Sequence, residues 1–295
     1  MSKNTIFTGA GVAIVTPMHA DGSVNYEKYR ELISWQIENG TDAIITCGTT
    51  GESSTLNHEE HIAVMRTAIE ETAGRVPVIS GTGSNDTAYC IELSNEAKAL
   101  GADALLLVTP YYNKTSQRGL IAHYTTIADA VDLPIILYNV PSRTGVDIKP
   151  ATIAELYRHP NIVAVKEANG NISSAAQIAA LCDIDIYSGN DDQIVPLLSL
   201  GGKGVISVLS NVLPQQTHDI CAKWFAGDVE GSRRLQLELL ELANALFTDV
   251  NPIPVKEAMN LMGMAVGDCR LPLLGMDDAA KARLRDVLAK YRLLA

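Results

Sequence analysis

Short apolar segments alternate with longer amphipathic segments along most of the chain, at intervals of roughly thirty residues. Each apolar segment has the length of a buried β-strand, and the segments between them have the periodicity of helices with one apolar face. Parallel strands joined by helices form either a closed barrel or an open doubly wound sheet. The eight predicted strands are residues 12–16, 43–47, 76–80, 104–109, 134–139, 162–166, 185–188 and 204–209.

The number and even spacing of these units favour a closed (β/α)8 barrel. Polar or glycine-rich segments follow the carboxyl ends of several strands, as in residues 48–52 and 109–112. Active sites of such barrels lie at that end. Beyond about Asn211 the pattern predicts only helices. We therefore predict a barrel catalytic domain over residues 1–224 and a small C-terminal helical region over residues 225–295.

The charge and composition of the chain argue against several kinds of partner and cellular location. A net charge of −11 and a pI near 5.0 argue against partners such as nucleic acid or anionic membrane surfaces. The five cysteines are odd in number and form no CxxC pair, which is typical of free thiols in a reducing compartment. The first residues lack the apolar stretch of a signal peptide, and no run is long enough to span a membrane. We expect a cytoplasmic protein.

Lys166 ends an almost wholly apolar predicted strand. A charged amine in an apolar interior costs several kcal/mol unless it is paired or loses its proton. A neutral lysine is a nucleophile that can form a Schiff base with a carbonyl. Side-chain alternation predicts that Ile162, Ala164 and Lys166 share one face of the strand. The alternative is that Lys166 reaches solvent from the strand end or pairs with Glu167.

The preceding predicted strand supplies two further candidates. Tyr138 lies near its end, on the same face as Ile136, and Arg143 follows in the next loop. A tyrosine can transfer protons, and a guanidinium binds a carboxylate through two parallel hydrogen bonds. The alternative for Arg143 is a salt bridge at the barrel rim. Together with the threonines of residues 48–52, these side chains predict an active site at the carboxyl end of the barrel.

The chain also resembles a known family through four segments, residues 48–53 (GTTGES), 138–145 (YNVPSRTG), 165–168 (VKEA) and 251–256 (NPIPVK). These segments are similar to the signatures of the pyruvate-dependent class I aldolases, a superfamily that includes the N-acetylneuraminate lyases. Within it, the chain most resembles the dihydrodipicolinate synthases, and the likeness spans essentially the full length. Arg143 favours this branch, because the synthases use an arginine there to bind the carboxylate of aspartate semialdehyde.

The resemblance implies condensation of pyruvate with L-aspartate 4-semialdehyde through a lysine Schiff base, in lysine and diaminopimelate biosynthesis. It implies no metal and no organic cofactor. In the family, a tyrosine–threonine–tyrosine relay moves protons, and a second threonine helps to hold the carboxylate of pyruvate. By this match the catalytic residues are Lys166, Tyr138, Thr50 and Tyr112, and the substrate-binding residues are Thr49, Arg143, Gly189 and Ile206.

The family likeness also carries expectations about subunit contacts. The counterpart of Tyr112 comes from a neighbouring subunit, which implies a homo-oligomer, with a tetramer built as a dimer of dimers expected. From the residues alone, the Tyr111–Tyr112 pair is equally well interpreted as a hydrophobic cover. An allosteric lysine pocket lies at the family's subunit interface, and lysine-inhibited members that resemble this chain have a glutamate at the position of Tyr89. The matching residues are Ser53, Ser54, His58, His61, Asn85, Tyr89 and Tyr111.

Two alternative functions follow from the same residues. Another pyruvate-dependent aldolase, acting on 2-keto-3-deoxy sugar acids or N-acetylneuraminate, would use the same Schiff base with a different acceptor. A barrel retained as a binding or sensor protein would not need catalytic residues. The joint presence of the lysine, tyrosine, threonine and arginine argues against the second alternative.

Overall fold

Eight parallel strands close into a single barrel in the computed structural model, which describes residues 3–295. The strands pair in chain order, and β8 pairs with β1 to close the ring. The predicted (β/α)8 barrel is confirmed. The strands are β1 (Gly9–Ala13), β2 (Ala43–Thr46), β3 (Val78–Gly81), β4 (Ala104–Val108), β5 (Ile135–Asn139), β6 (Ile162–Glu167), β7 (Asp185–Ser188) and β8 (Gly204–Ser207).

Helices connect the strands on the outside of the barrel and continue after β8. The helices are α1 (Tyr26–Glu38), α2 (His58–Thr72), α3 (Thr87–Leu100), α4 (Gln117–Ala130), α5 (Pro141–Thr144), α6 (Pro150–Leu156), α7 (Ile172–Leu181), α8 (Ile194–Leu198), α9 (Pro214–Phe225), α10 (Val229–Glu238), α11 (Leu240–Ala245), α12 (Ile253–Leu261) and α13 (Asp278–Lys290). Three 3₁₀ turns, Ser53–Thr55, Asp191–Gln193 and Leu209–Asn211, follow β2, β7 and β8.

Helix α9 packs against β1 and thereby completes the outer layer of the barrel. Helices α10 to α13 follow it, and α12 and α13 pack on each other. The predicted boundary between residues 224 and 225 falls at the end of α9 and stays a prediction. Residues 1 and 2 of the predicted barrel domain lie outside the described residues.

The first strand starts earlier than its apolar pattern predicted. It spans Gly9–Ala13 rather than residues 12–16, because the pairing of β1 with β8 begins with two glycines. Gly9 pairs with Gly204, and a Cβ added at Gly204 would lie 1.8 Å from the carbonyl oxygen of Gly9. Glycine has a low β-propensity, so a strand that begins with it is missed by a search for apolar runs.

A register shift in β6 corrects the predicted alternation of its side chains. Ile135 and Ile136 of β5 are adjacent, but they pair with Ile162 and Ala164, so Val163 is an extra residue in β6. Such a bulge reverses the alternation locally. Ile162 therefore packs in the outer core beneath the helices, whereas Val163 and Ala164 pack inside the barrel. The prediction that Ile162 shares a face with Lys166 is wrong.

Candidate active site

Lys166 lies near the carboxyl end of β6, directly opposite Tyr138 of β5. Only 6% of its surface is exposed, and its Nζ lies 4.3 Å from the centroid of the Tyr138 ring. The face of an aromatic ring attracts a cation at this separation. Ile136 and Tyr138 both pack inside the barrel, as predicted for one face of β5.

Glu167 does not pair with Lys166, although the two are adjacent. Its carboxylate accepts hydrogen bonds from Asn139 Nδ2, at 3.1 Å to each oxygen, and from the backbone N–H of Asn169 at 2.9 Å. Burial raises the pKa of Glu167 from 4.5 to about 7, against these hydrogen bonds. Among the described residues, no carboxylate forms an ion pair with Lys166. The ion pair of this part of the chain in which both side chains are fully buried joins Lys256 and Glu52.

The two threonines after β2 have different surroundings. Thr49 lines a small cavity of about 30 Å³ together with Tyr138, and it also lines a larger cavity of about 390 Å³. Thr50 is buried, and its Oγ1 accepts a hydrogen bond from Asn251 Nδ2 at 3.0 Å. The end of β3 approaches the start of this loop closely, because a Cβ at Gly81 would lie 2.3 Å from the Cys47 carbonyl oxygen.

Arg143 lies in α5, the short helix that follows β5. Its Nη2 donates a hydrogen bond to the backbone carbonyl of Asn251 at 3.0 Å. Arg143 lines the larger cavity together with Thr49 and Tyr111, so the cavity has a cationic group on one wall. The sequence predicted these side chains at one end of the barrel, and the structure brings Thr49 and Arg143 to one cavity there.

Gly189 and Ile206 lie at the ends of the next two strands. Gly189 follows β7 and donates its backbone N–H to the carbonyl of Glu167 at 2.8 Å. A Cβ at Gly189 would lie 2.5 Å from the Cβ of Ala168, so the backbones approach closely here. Ile206 belongs to β8 and packs fully buried inside the barrel. Gly189 therefore lies just beyond the end of β7, and Ile206 lies inside the barrel that carries Lys166 near its carboxyl end.

Tyr112 is separated from the other predicted catalytic residues within the chain. Its side chain is 91% exposed, and its backbone has a positive φ of 69°. The adjacent Tyr111 is less exposed and lines the larger cavity. A non-glycine residue with positive φ is uncommon outside tight turns. This turn directs Tyr112 into solvent in the single chain.

Most residues of the predicted lysine pocket line the same larger cavity. His58 is not among the residues that line this cavity, but its Nδ1 lies 3.4 Å from the hydroxyl oxygen of Tyr89, which does line it. Asn85 donates a hydrogen bond to the Tyr111 carbonyl at 3.1 Å and lines a neighbouring cavity of about 300 Å³. Burial lowers the pKa of His61, whose Nε2 lies 2.8 Å from the Gly81 carbonyl oxygen. The residues of this set that line the larger cavity are Ser53, Ser54, His61, Tyr89 and Tyr111.

Two contacts of the C-terminal region at this end of the barrel were not predicted. Asn251 contacts both Thr50 and Arg143. Lys256 is fully buried and forms an ion pair of 2.8 Å with Glu52, in the loop that carries the threonines. A signal was present, because Lys256 follows the apolar run Ile253-Pro254-Val255, as Lys166 follows its own apolar run.

A second buried acid lies between β7 and β8. Asp191 Oδ2 accepts hydrogen bonds from the backbone N–H groups of Val208, at 3.0 Å, and Leu209, at 2.9 Å. Burial raises the pKa of Asp191, and hydrogen bonds from the Ser207 side chain and from the backbone N–H groups of Leu209 and Val208 act in the opposite direction. Within residues 3–295, no group of three or more histidine, cysteine, aspartate or glutamate residues is arranged to hold a metal ion. No helix in this part of the chain is long and apolar enough to cross a membrane.

Comparison with known families identifies one match over nearly the whole chain. The profile described as "Dihydrodipicolinate synthetase family" matches residues 6–291. A protein of Lachnoclostridium phytofermentans named 4-hydroxy-tetrahydrodipicolinate synthase is 62% identical over 292 residues, which cover 98% of this chain and 99% of the relative. A protein of the same name from Caldicellulosiruptor bescii is 56% identical over 288 residues, covering 97% and 98%.

Solved structures agree with these matches. The dihydrodipicolinate synthase of Aquifex aeolicus superposes with a TM-score of 0.95 at 44% identity, covering 98% of this chain and 99% of that one. The enzyme of Cyanidioschyzon merolae with lysine bound superposes with a TM-score of 0.96 at 41% identity, covering 99% and 100%. The similarity thus includes the C-terminal helices as well as the barrel.

Proposed function

The chain belongs to the dihydrodipicolinate synthetase family, and we propose that Lys166 is the residue through which it acts. Its reaction condenses pyruvate with L-aspartate 4-semialdehyde to give 4-hydroxy-tetrahydrodipicolinate, in lysine and diaminopimelate biosynthesis. The alternative of a sugar-acid or N-acetylneuraminate lyase is not favoured, because the curated relatives at 56–62% identity are synthases. The observation that supports Lys166 is its burial beside the Tyr138 ring without a carboxylate partner in the described residues.

The proposed chemistry begins when the neutral Lys166 amine adds to the ketone carbon of pyruvate. Loss of water gives an iminium, whose positive charge withdraws electrons from the methyl group. A methyl proton then leaves and the iminium becomes an enamine. The face of the Tyr138 ring is 4.3 Å from Nζ, which is close enough to favour a cation at this position.

The enamine carbon then attacks the aldehyde carbon of the semialdehyde, and the aldehyde oxygen takes up a proton. This step forms the new carbon–carbon bond and regenerates the iminium. The amino group of the bound semialdehyde attacks the iminium carbon, which closes the ring and releases Lys166 as a free amine. Tyr138 is the candidate for moving these protons, because its phenol is an acid–base group and the residue lies directly opposite Lys166 on the neighbouring strand.

The surroundings of the two threonines favour an exchange of the roles that the sequence suggested. Thr49 shares a cavity with Tyr138, so we assign it to the proton relay. Thr50 accepts a hydrogen bond from Asn251 and keeps its own hydroxyl proton, which it can donate to the pyruvate carboxylate. Gly189 and Ile206 remain the proposed floor of the pyruvate pocket.

Arg143 is the proposed receptor for the carboxylate of the semialdehyde. It lines the larger cavity, and its guanidinium keeps donors free beyond the one that the Asn251 carbonyl accepts. Tyr112 is proposed to complete the relay in a neighbouring subunit, because its side chain is 91% exposed in the single chain. The proposed assembly is a homotetramer built as a dimer of dimers. The five free thiols of each chain support a cytoplasmic location.

The test of this function combines trapping with substrate choice. Pyruvate and borohydride should add one covalent mass to the chain, and peptide mass spectrometry should locate it on Lys166. A coupled assay should then show turnover with aspartate semialdehyde and none with N-acetylneuraminate or 2-keto-3-deoxy sugar acids. Reduction at another lysine would contradict the Schiff-base residue, and turnover only with a sugar acid would contradict the acceptor.

We also propose that the predicted lysine pocket binds lysine weakly. Tyr89 lines this cavity at the position where the family resemblance implies a glutamate in lysine-inhibited members, and a phenol does not supply a negative charge for the ligand ammonium. Losing such a contact costs about 1.5–3 kcal/mol, or roughly 10- to 150-fold in affinity. A cation–π contact with Tyr89 recovers only about 0.5–1 kcal/mol. Inhibition by sub-millimolar lysine would contradict this proposal, and Tyr89→Glu should increase the sensitivity.

A further inference from the structure

Asn251 lies where the C-terminal region meets the mouth of the barrel, just before α12. It is 6% exposed. Its side-chain Nδ2 donates to Thr50 Oγ1 at 3.0 Å, and its backbone carbonyl accepts from Arg143 Nη2 at 3.0 Å. One residue of the C-terminal region therefore contacts both groups to which substrate carboxylates are assigned.

The direction of the hydrogen bond to Thr50 matters for binding. A hydroxyl has one proton and two lone pairs, and a carboxylate only accepts hydrogen bonds. Because Asn251 donates to Thr50, the hydroxyl proton of Thr50 stays free for an incoming carboxylate. If the amide were reversed, its oxygen would accept that proton instead. In the observed orientation Oδ1 of Asn251 is buried and has no partner among the described residues.

A buried ion pair fixes the two segments that meet at this contact. Lys256 lies in α12, shortly after Asn251 in the chain, and Glu52 lies in the same loop as Thr50. Their side chains are both fully buried and lie 2.8 Å apart. Lys256 Nζ also donates to the backbone carbonyl of Asp268 at 2.7 Å. The C-terminal region is thus attached to the threonine loop through Asn251, Lys256 and the backbone N–H of Arg270, and among these Asn251 contacts a candidate substrate-binding group.

We propose that Asn251 is a positioning residue for both substrates. Its amide orients the Thr50 hydroxyl so that the hydroxyl proton points to the pyruvate carboxylate, and its carbonyl holds the Arg143 guanidinium at the semialdehyde side. The inference rests on the proposed roles of Thr50 and Arg143. It makes the C-terminal region a functional part of the substrate site, in addition to its packing against the barrel.

The first test removes the side chain but keeps the carbonyl. Asn251→Ala should raise the KM for pyruvate by roughly 3- to 10-fold, which corresponds to one hydrogen bond. The KM for the semialdehyde should change less, because the carbonyl that holds Arg143 remains. The matched control is Asn260→Ala, also in the C-terminal region, where Asn260 donates to Gly267 O at 3.1 Å and accepts from Val266 N at 2.8 Å. This control should leave both KM values unchanged, and equal changes in both variants would overturn the inference.

The second test changes the donor to an acceptor at nearly constant shape. In Asn251→Asp the introduced carboxylate cannot donate, so it should take the Thr50 proton and repel the pyruvate carboxylate. The KM for pyruvate should therefore rise more than in Asn251→Ala at neutral pH. It should approach the parent value as the pH falls and the introduced group regains a proton to donate. A variant as active as the parent at neutral pH would overturn the proposed donation.

A double-variant cycle separates this inference from the proposed function. If Asn251 acts through Thr50, the combination of Asn251→Ala with Thr50→Val should raise the KM for pyruvate no more than Thr50→Val alone. Additive effects would overturn the inference while leaving the role of Thr50 intact. If Thr50→Val did not alter the KM for pyruvate, the proposed role of Thr50 itself would be wrong, and the positioning of Thr50 with it. Borohydride trapping on Lys166 should persist in every variant at saturating pyruvate.

Discussion

Lys166 at the barrel mouth and Lys256 in the C-terminal region present the same signal in the sequence, a lysine that follows apolar residues. Both are buried in the folded chain, with 6% and 1% of their surfaces exposed. Burial of a lysine is unfavourable unless its charge is compensated or its proton is lost. The two sites meet this requirement in different ways, and the difference separates the proposed reactive amine of Lys166 from the structural amine of Lys256.

The charge of Lys256 is fully compensated by the acceptors around it. Its ammonium donates to Glu52 Oε1 at 2.8 Å, to the Asp268 carbonyl at 2.7 Å and to the Thr16 carbonyl at 3.2 Å. Three donors thus have three acceptors, and the other oxygen of Glu52 accepts from the backbone N–H of Arg270 at 2.8 Å. All three N–H groups of Lys256 are therefore used within the protein, and none is left for a substrate.

Lys166 has the ring of Tyr138 beside it and, among the described residues, no carboxylate in an ion pair. The adjacent Glu167 is bound by Asn139 and Asn169 on the other side of the strand. The face of a ring stabilises a cation less than an ion pair with three good hydrogen bonds does. The partners of a buried lysine, rather than its burial, therefore indicate whether it is available as a nucleophile.

The largest expected effect comes from removing the amine of Lys166, the proposed nucleophile. Lys166→Met should lower kcat by roughly 10³- to 10⁶-fold, because the Schiff base cannot form. It should not destabilise the fold, because no ion pair is lost and an apolar side chain fills the same space. Turnover and borohydride trapping measure the first effect, and chemical denaturation measures the second. A variant that loses activity only because it unfolds would contradict the assignment.

The matched change at the other lysine should have the opposite pattern. Lys256→Met should lower the free energy of unfolding by about 3–5 kcal/mol, because the Glu52 carboxylate is left buried without its ion-pair partner. Urea denaturation checks this value, and borohydride trapping at low temperature should still modify Lys166. Adding Glu52→Gln should restore part of the lost stability. If Lys256→Met were as stable as the parent, the compensated site would not be structural.

A smaller effect is expected at the rim of the larger cavity. Arg143→Ala should raise the KM for aspartate semialdehyde by roughly 10- to 150-fold, the loss of about 1.5–3 kcal/mol from a charge-assisted contact. Pyruvate trapping on Lys166 should be almost unaffected, because the guanidinium is assigned to the second substrate. Steady-state kinetics with each substrate varied in turn measures both values. An unchanged KM for the semialdehyde would show that Arg143 is only a rim residue.

A pH-dependent effect on stability is expected at Glu167, the carboxylate that does not pair with Lys166. Burial raises its pKa from 4.5 in the ordinary state to about 7 in the fold. The folded chain then holds this proton more tightly than the unfolded chain, so the stabilisation is present below about pH 4.5 and is lost as the pH rises to about 7. Glu167→Gln should remove this slope from the pH dependence of unfolding. An ion pair with Lys166 would give a slope of the opposite sign.

The local patterns of the sequence predicted the parts of this protein that depend on neighbours in the chain. Apolar runs alternating with amphipathic segments gave the eight strands of the barrel. Lys166, Tyr138 and Arg143 could be selected as candidates because each belongs to a strand or to the segment that directly follows one. Strand ends of a parallel barrel meet at one face, so the order of the elements was sufficient to bring these residues together.

Only the tertiary structure decided the remaining features. The extra residue Val163 in β6 is defined by its register with β5, and a pattern of apolar residues does not encode register. Thr49 and Thr50 are adjacent and alike in sequence, and they differ only in what the folded chain places beside each of them. Asn251 contacts Thr50 from 201 positions away, and Lys256 pairs with Glu52 from 204 positions away. Such contacts depend on how the C-terminal helices close over the barrel, which is set by packing between distant segments and is not recorded in the periodicity of either one.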